Sequence, residues 1–181
     1  MPHAELPRSD WVVRWSHLVP AGEALDLACG EGRHARFLAA CGHRVTALDR
    51  DRAALAALAG AEGIETVCAD LEDGSPWPLA GRRFQGIVVA NYLHRPLFRH
   101  LIDALAPGGV LVYETFMAGN ERFGKPSNPD FLLRPGELLE AFGTALSVVA
   151  FEQGRVRRPK PAMVQRLCAL KGGAADIALA P

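Results

Sequence analysis

Two hydrophobic patterns alternate along the chain. Short, nearly continuous apolar runs are separated by stretches in which apolar residues recur every three or four positions. The runs predict strands that are buried on both faces, and the recurring pattern predicts amphipathic helices that cover them. The predicted strands span residues 24–27, 45–48, 64–69, 84–90 and 110–115, and the predicted helices span residues 10–18, 34–41, 52–59, 95–105 and 137–142. This order is typical of five βα repeats in a parallel sheet.

The carboxyl-terminal part departs from this pattern. Two apolar runs, 146–151 and 164–170, are joined by the basic and proline-containing residues 155–160, which cannot form a crossover helix. The two runs therefore predict an antiparallel hairpin. The whole sequence predicts an α/β fold, a doubly wound and mostly parallel seven-stranded sheet of the Rossmann-like kind that ends in this hairpin.

Residues 23–50 contain a strand, a small-residue turn, a helix and a second strand that ends in an acid. The glycines of the turn, Ala28-Cys29-Gly30-Glu31-Gly32, allow the backbone to approach a ligand and to pass directly into a helix, whose N-terminal N–H groups face that ligand. Asp49 lies 19 positions after Gly30, where a carboxylate can accept both hydroxyls of a ribose. The stretch predicts a nucleotide site, and its spacing also matches NAD- and FAD-binding turns.

Polar residues stand at or near the ends of all five parallel strands. They are Asp26, Asp49, Asp70, Asn91 and Glu114. Because an open α/β sheet binds its ligands outside the carboxyl ends of its strands, we expect these side chains to surround one site.

Length and composition indicate one domain over residues 1–181, with a loose tail at 172–181. Lysine plus arginine equals aspartate plus glutamate at 20 each, so the net charge gives no reason to expect broad binding to nucleic acid or to a membrane. The basic residues 155–160 are expected to form a solvated loop.

The four cysteines lack the spacing of a zinc site or a redox pair, so no metal is expected. Free thiols beside apolar runs are typical of a reducing compartment, and we expect a cytoplasmic protein. The N-terminus lacks the pattern of a secretory signal, and no apolar run is long enough to span a bilayer.

The motifs DLACGEGR, LDRD, ADLE, VVANYL and LAPGG, followed by the hairpin, resemble those of a class I S-adenosylmethionine-dependent methyltransferase. The resemblance extends over about residues 10–171. Within this family, the motifs look similar to those of small bacterial enzymes of the tellurite-resistance or general small-molecule type. In one departure, Ala28 replaces the usual first glycine of the turn. Because alanine does not adopt a positive φ freely, we expect Ala28 to be right-handed helical or extended.

The resemblance implies S-adenosylmethionine as cofactor. Asp26 and backbone groups of the turn would hold its methionine end, Asp49 the ribose, Asp70 and the Leu71 N–H the adenine, and Asn91 the methionine amino group. The complete predicted cofactor site is Asp26, Ala28, Cys29, Gly30, Gly32, Asp49, Arg50, Asp70, Leu71 and Asn91.

The expected acceptor is a small molecule. Tyr92, His94 and Glu114 are candidates for a base, although some acceptors need none. Residues 116–133 form a long segment rich in Gly, Pro and Asn, which is either a lid over the acceptor or a rigid surface loop. Arg122 is its candidate for holding an anionic acceptor.

Other functions remain open at this point. The chain could be an RNA-directed methyltransferase, because residues 155–160 are basic, or a cofactor-binding partner subunit without activity. An NAD-dependent oxidoreductase would need a substrate domain or a catalytic Lys/Tyr pair that the sequence does not supply. A monomer and a homodimer are equally compatible with the sequence.

Overall fold

The computed structural model describes residues 7–173 and 177–178. One seven-stranded sheet organises them, in the order β3-β2-β1-β4-β5-β7-β6. The first five strands are parallel, whereas β7 runs antiparallel to both β5 and β6. The strands are β1 Glu23–Leu27, β2 Arg44–Asp49, β3 Ile64–Cys68, β4 Phe84–Ala90, β5 Leu105–Phe116, β6 Ser147–Val156 and β7 Ala162–Leu170. The predicted fold class is confirmed.

Five α-helices lie on the two faces of this sheet: α1 Asp10–Trp15, α2 Arg33–Ala40, α3 Arg52–Ala56, α4 Leu97–Ala104 and α5 Glu137–Phe142. Ser9 caps α1 and Asp51 caps α3 through their side-chain oxygens, which satisfy backbone N–H groups that have no partner inside a helix. None of the helices in the described part of the chain is both long enough and apolar enough to cross a bilayer.

The core has two layers because side chains alternate across each strand. One layer packs α4 and α5 against the sheet around Tyr113, Phe142 and Leu101. The other packs α1, α2 and α3 against the opposite face, where Trp11 and Leu38 are buried. The helices thus cover both faces of the central strands and leave their carboxyl ends as the open edge.

The structure corrects two details of the predicted repeat. Residues 69–83 between β3 and β4 contain no helix, so there are not five complete βα repeats. The fifth strand begins at Leu105, directly after α4 and before the predicted start at 110, and residues 106–109 form a bulge in its pairing with β4. Gly109 is required in this arrangement, since an added Cβ would lie 2.8 Å from the Ala106 oxygen and 2.9 Å from the Phe84 oxygen.

The segment 116–133 folds back on itself after β5. Met117 and Leu133 form an isolated bridge at its base. Asn120 is 2% exposed, and its side chain donates to the Pro126 oxygen at 2.9 Å and accepts from the Met163 N–H at 3.1 Å. Asn120 therefore ties the segment both to itself and to β7.

The prediction of one domain over residues 1–181 stays a prediction. Most of the predicted tail, at 174–176 and 179–181, lies outside the described residues, as do residues 1–6.

We expect Asn120→Ala to lower the free energy of unfolding by about 1–3 kcal/mol, because the partly buried Pro126 carbonyl and Met163 N–H lose their partner. Denaturant unfolding measures this change. Ser127→Ala, an exposed position of the same segment, is the matched control and should leave stability unchanged. Equal stability of the two variants would contradict the anchoring role of Asn120.

Candidate active site

The turn between β1 and α2 has three residues with positive φ: Ala28 at 55°, Gly30 at 55° and Gly32 at 79°. A Cβ on Gly32 would lie 2.5 Å from the side chain of Leu58, so packing requires glycine there. A Cβ on Gly30 would meet no protein atom within 4 Å. The backbone at Gly30 is therefore open to a ligand.

The expectation that the backbone at Ala28 is right-handed helical or extended is wrong, because Ala28 adopts the left-handed conformation. This conformation costs an alanine about 1–2 kcal/mol. Within the described residues, Asn91 at the end of β4 is the one other non-glycine with a positive φ, at 59°. The strain is concentrated where two strand ends meet, which is common at functional sites.

Asp26 lies beneath the turn and is 1% exposed. Its carboxylate accepts from the Ala35 N–H at 2.8 Å. This bond satisfies a first-turn N–H group of α2, whose capping residue Gly32 has no side chain to do so. Burial raises the pKa of Asp26 to about 7.

Asp49 at the end of β2 fixes the turn from the other side. One carboxylate oxygen accepts from the Gly30 N–H at 2.7 Å, and the other accepts from the Asp51 N–H at 2.9 Å. Each carboxylate oxygen can accept more than one hydrogen bond. Asp49 can therefore hold the turn and still accept from a ligand.

These strand ends enclose a cavity of about 350 Å³, which we call the smaller cavity. Six of the ten predicted cofactor residues line it, namely Ala28, Asp49, Arg50, Asp70, Leu71 and Asn91. The apolar part of its wall includes Leu93, Phe116, Pro126 and Phe131. Asp26, Cys29, Gly30 and Gly32 lie outside the lining, and the ligand roles of all ten residues stay predictions.

A larger cavity of about 1020 Å³ adjoins the smaller one. The two share four wall residues, Asn91, Phe116, Pro126 and Phe131. Distant parts of the chain complete the larger cavity: residues 7–10, Arg33, the segment 116–133 and the β6–β7 hairpin.

Residues 24–109 match the family described as "Methyltransferase domain". The matched stretch is a little under half of the chain. The predicted fold class is confirmed, and the match supports the predictions of a class I methyltransferase and of an enzyme. Among proteins with curated functions, none matches the sequence closely enough to count as a relative.

Solved structures share the fold at low sequence identity. TehB from Haemophilus influenzae superposes with a TM-score of 0.72 at 18% identity, over 90% of this chain and 62% of TehB. The N-methyltransferase NodS from Bradyrhizobium japonicum WM9 gives 0.67 at 19% identity, over 89% and 91% of the two chains. The glycopeptide N-methyltransferase MtfA complexed with S-adenosyl-L-methionine gives 0.64 at 18% identity, over 95% and 99%. The chain described here thus spans less than two thirds of the length of TehB.

The three candidate bases differ in position. Tyr92 lines the smaller cavity, and its hydroxyl donates to Glu72 at 3.1 Å. Burial, followed by the Glu72 charge, raises the pKa of Tyr92, which makes its anion scarcer. His94 lines neither cavity. Glu114 lines the larger cavity, where it accepts from the Ser9 hydroxyl at 2.8 Å and pairs with Arg166. Glu114 is thus the candidate that faces the larger cavity.

Arg122 lines neither cavity, contrary to its predicted role. Its guanidinium lies over the Phe123 ring and donates to the Gly119 oxygen. Lys125 of the same segment lines the larger cavity instead, together with Arg158 and Lys160 of the basic stretch 155–160. No pattern along the sequence indicated that these three residues line one cavity, because tertiary packing brings them together from separate elements.

We expect Ala28→Gly to raise the free energy of unfolding by about 1 kcal/mol, because glycine adopts a positive φ without strain. Ala53→Gly, an exposed position in α3, is the control and should lower it by about 0.5–1 kcal/mol. Denaturant unfolding compares the two. A loss of stability in Ala28→Gly equal to that of the control would refute the strain at Ala28.

His34 and Asp26 should have opposite effects on the pH dependence of folding stability in mild acid. His34 is buried and accepts from the Ser9 N–H, and burial followed by the Arg33 charge lowers its pKa to about 3. Between about pH 4 and 6.5 the unfolded chain binds a proton on His34 that the folded chain lacks, so this residue makes stability rise with pH. Over the same range the folded chain holds a proton on Asp26 that the unfolded chain lacks, so Asp26 makes stability fall with rising pH.

Each effect amounts to about 1.4 kcal/mol per pH unit, and in the wild type they should cancel. Relative to the wild type, His34→Gln should lose stability as the pH rises from about 4.5 to 6, and Asp26→Asn should gain it. Chemical denaturation at both pH values measures the slopes. Three parallel profiles would show that neither group has the assigned shift.

Proposed function

We propose that this methyltransferase transfers the methyl group of S-adenosylmethionine to a small-molecule acceptor, with the cofactor in the smaller cavity and the acceptor in the larger one. The supporting observation is the wall of four residues that the two cavities share. Asn91 and Phe116 of this wall would contact both the cofactor and the acceptor. The reacting partners would then meet without leaving the protein.

The smaller cavity suits this cofactor. Its volume lies within the range of small-molecule sites, about 300–1,000 Å³. Ala28 is the residue of the turn that lines it, and a Cβ on nearby Gly30 would meet no protein atom within 4 Å, so the methionine end could approach the N-terminus of α2 there. Asp49 would accept the ribose hydroxyls, and Asp70 beside Leu71 would receive the adenine. When bound, S-adenosylmethionine supplies a methyl group on a positively charged sulfur.

The protein's own contribution is positioning. Holding two reactants in line can supply a large part of the rate enhancement of such a displacement. Asn91 would orient the methionine end from the shared wall, and Phe116 and Phe131 would keep water from the reacting atoms. Tyr92 has a raised pKa, which favours an acceptor that needs no strong protein base.

Calorimetry with S-adenosylhomocysteine and with NADH tests the proposed cofactor directly. The methyltransferase should bind the former and not the latter. A screen of acceptors, read by release of S-adenosylhomocysteine, then tests transfer. Binding of NADH without binding of S-adenosylhomocysteine would overturn the proposal.

Asp49→Asn should weaken the binding of S-adenosylhomocysteine by about 1.5–3 kcal/mol, because the ribose hydroxyls lose a charged acceptor. The asparagine oxygen can still accept from Gly30, so the turn should remain folded. Asp51→Asn removes the same charge two positions away, outside both cavity walls, and asparagine also caps a helix. Equal affinities of the two variants would exclude the ribose role of Asp49.

A further inference from the structure

The two cavities have opposite charge. The smaller one has three acids, Asp49, Asp70 and Glu72, against one base, Arg50. The larger one has two acids, Asp10 and Glu114, against six bases, Arg8, Arg33, Lys125, Arg158, Lys160 and Arg166. In a chain with no net charge, this division concentrates cations at one site.

Most of these cations have no ion-pair partner among the residues that the structure describes. Arg166 pairs with Glu114 and Glu152. The other five bases of the larger cavity make no ion pair with any residue in the described part of the chain. Because Glu114 is occupied by Arg166, Asp10 is the one remaining acid against these five. The larger cavity therefore has a positive potential that a bound anion would neutralise.

The cations surround the larger cavity instead of forming a stripe. Arg8 precedes α1, Arg33 begins α2, Lys125 belongs to the segment 116–133, and Arg158 and Lys160 lie between β6 and β7. A nucleic-acid backbone needs basic residues aligned along a surface. Cations that come from four separate parts of the chain and line one cavity suit a compact anion.

The walls between the cations are partly apolar, with Phe116, Phe131, Val156 and Val164 among the lining residues. A simple oxyanion would leave most of about 1020 Å³ unfilled and would not contact these walls. An organic molecule with an apolar body would contact both the walls and the cations.

We propose that the methyl acceptor is a small organic anion, with a carboxylate, phosphate or sulfonate held by Lys125, Arg158 and their neighbours and its accepting atom at the wall shared with the smaller cavity. This inference rests on the proposed function. The accepting atom gives an electron pair to the methyl carbon, the carbon–sulfur bond breaks with its pair left on sulfur, and any proton on the accepting atom passes to water.

The opposite charges of the two cavities would also direct each reactant to its own cavity. S-adenosylmethionine has a sulfonium and an ammonium against a single carboxylate, so it is a net cation and is favoured in the acidic smaller cavity. An anionic acceptor is repelled there and attracted to the larger cavity. Opposite potentials thereby keep each reactant out of the other's site.

The test uses two fluorescent probes of the same skeleton, anilinonaphthalene sulfonate and its neutral analogue phenylnaphthylamine, titrated into the protein saturated with S-adenosylhomocysteine. The sulfonate probe should bind more tightly than the neutral one. The double variant Lys125→Gln/Arg158→Gln should lower the affinity for the sulfonate probe by about tenfold or more, because charged hydrogen bonds are lost. It should leave the affinity for the neutral probe unchanged. Arg83→Gln, an exposed arginine just before β4 and outside both cavity walls, should change neither.

Equal binding of the two probes, or an equal effect of Arg83→Gln and the double variant, would overturn the inference. So would tighter binding of a single-stranded RNA oligonucleotide that the double variant abolishes, because the cations would then serve a polymer. Calorimetry with S-adenosylhomocysteine keeps the two proposals apart. Normal cofactor binding without a preference for the sulfonate refutes the anionic acceptor alone, whereas absent cofactor binding refutes the proposed function.

Discussion

The hydrogen bond from the Gly30 N–H to Asp49 is the constraint on which the site depends. It joins the turn after β1 to the end of β2, and the bond from the Cys29 N–H to the Leu48 oxygen supports it at 3.0 Å. With the turn held from this side and Asp26 holding the start of α2 from below, Ala28 stays left-handed despite its cost. The open backbone at Gly30 follows from this arrangement.

The wall of Asn91, Phe116, Pro126 and Phe131, which both cavities share, lies between two electrostatic environments. Acids at the ends of β2 and β3 face the smaller cavity, whereas cations from later and earlier parts of the chain face the larger one. Strand ends fix the acids rigidly, because the parallel sheet holds them at one edge. The cations lie on loops and turns around that edge, where sequence can vary without disturbing the sheet. In the proposed function, cofactor recognition would therefore lie in the sheet and acceptor recognition around it.

The segment 116–133 belongs to both environments. Phe116, Pro126 and Phe131 form part of the shared wall, and Asn120 fixes the segment to β7 through Met163. Its base is therefore ordered by buried hydrogen bonds, which resembles the rigid-loop alternative more than a free lid. Whether its tip moves on binding stays a prediction that hydrogen exchange with and without ligands can test.

The sequence by itself determined the sheet, the nucleotide turn and the acids at the strand ends, because strand periodicity, glycines and strand-end polar residues are local signals. It did not determine the conformation of Ala28, since alanine's own preference is overridden by bonds to β2 that join distant residues. It also assigned anion binding to Arg122, whereas Lys125, Arg158, Arg8 and Arg33 line the larger cavity. Only tertiary packing decides which exposed cations share one cavity, because they come from four separate elements and no spacing along the chain relates them.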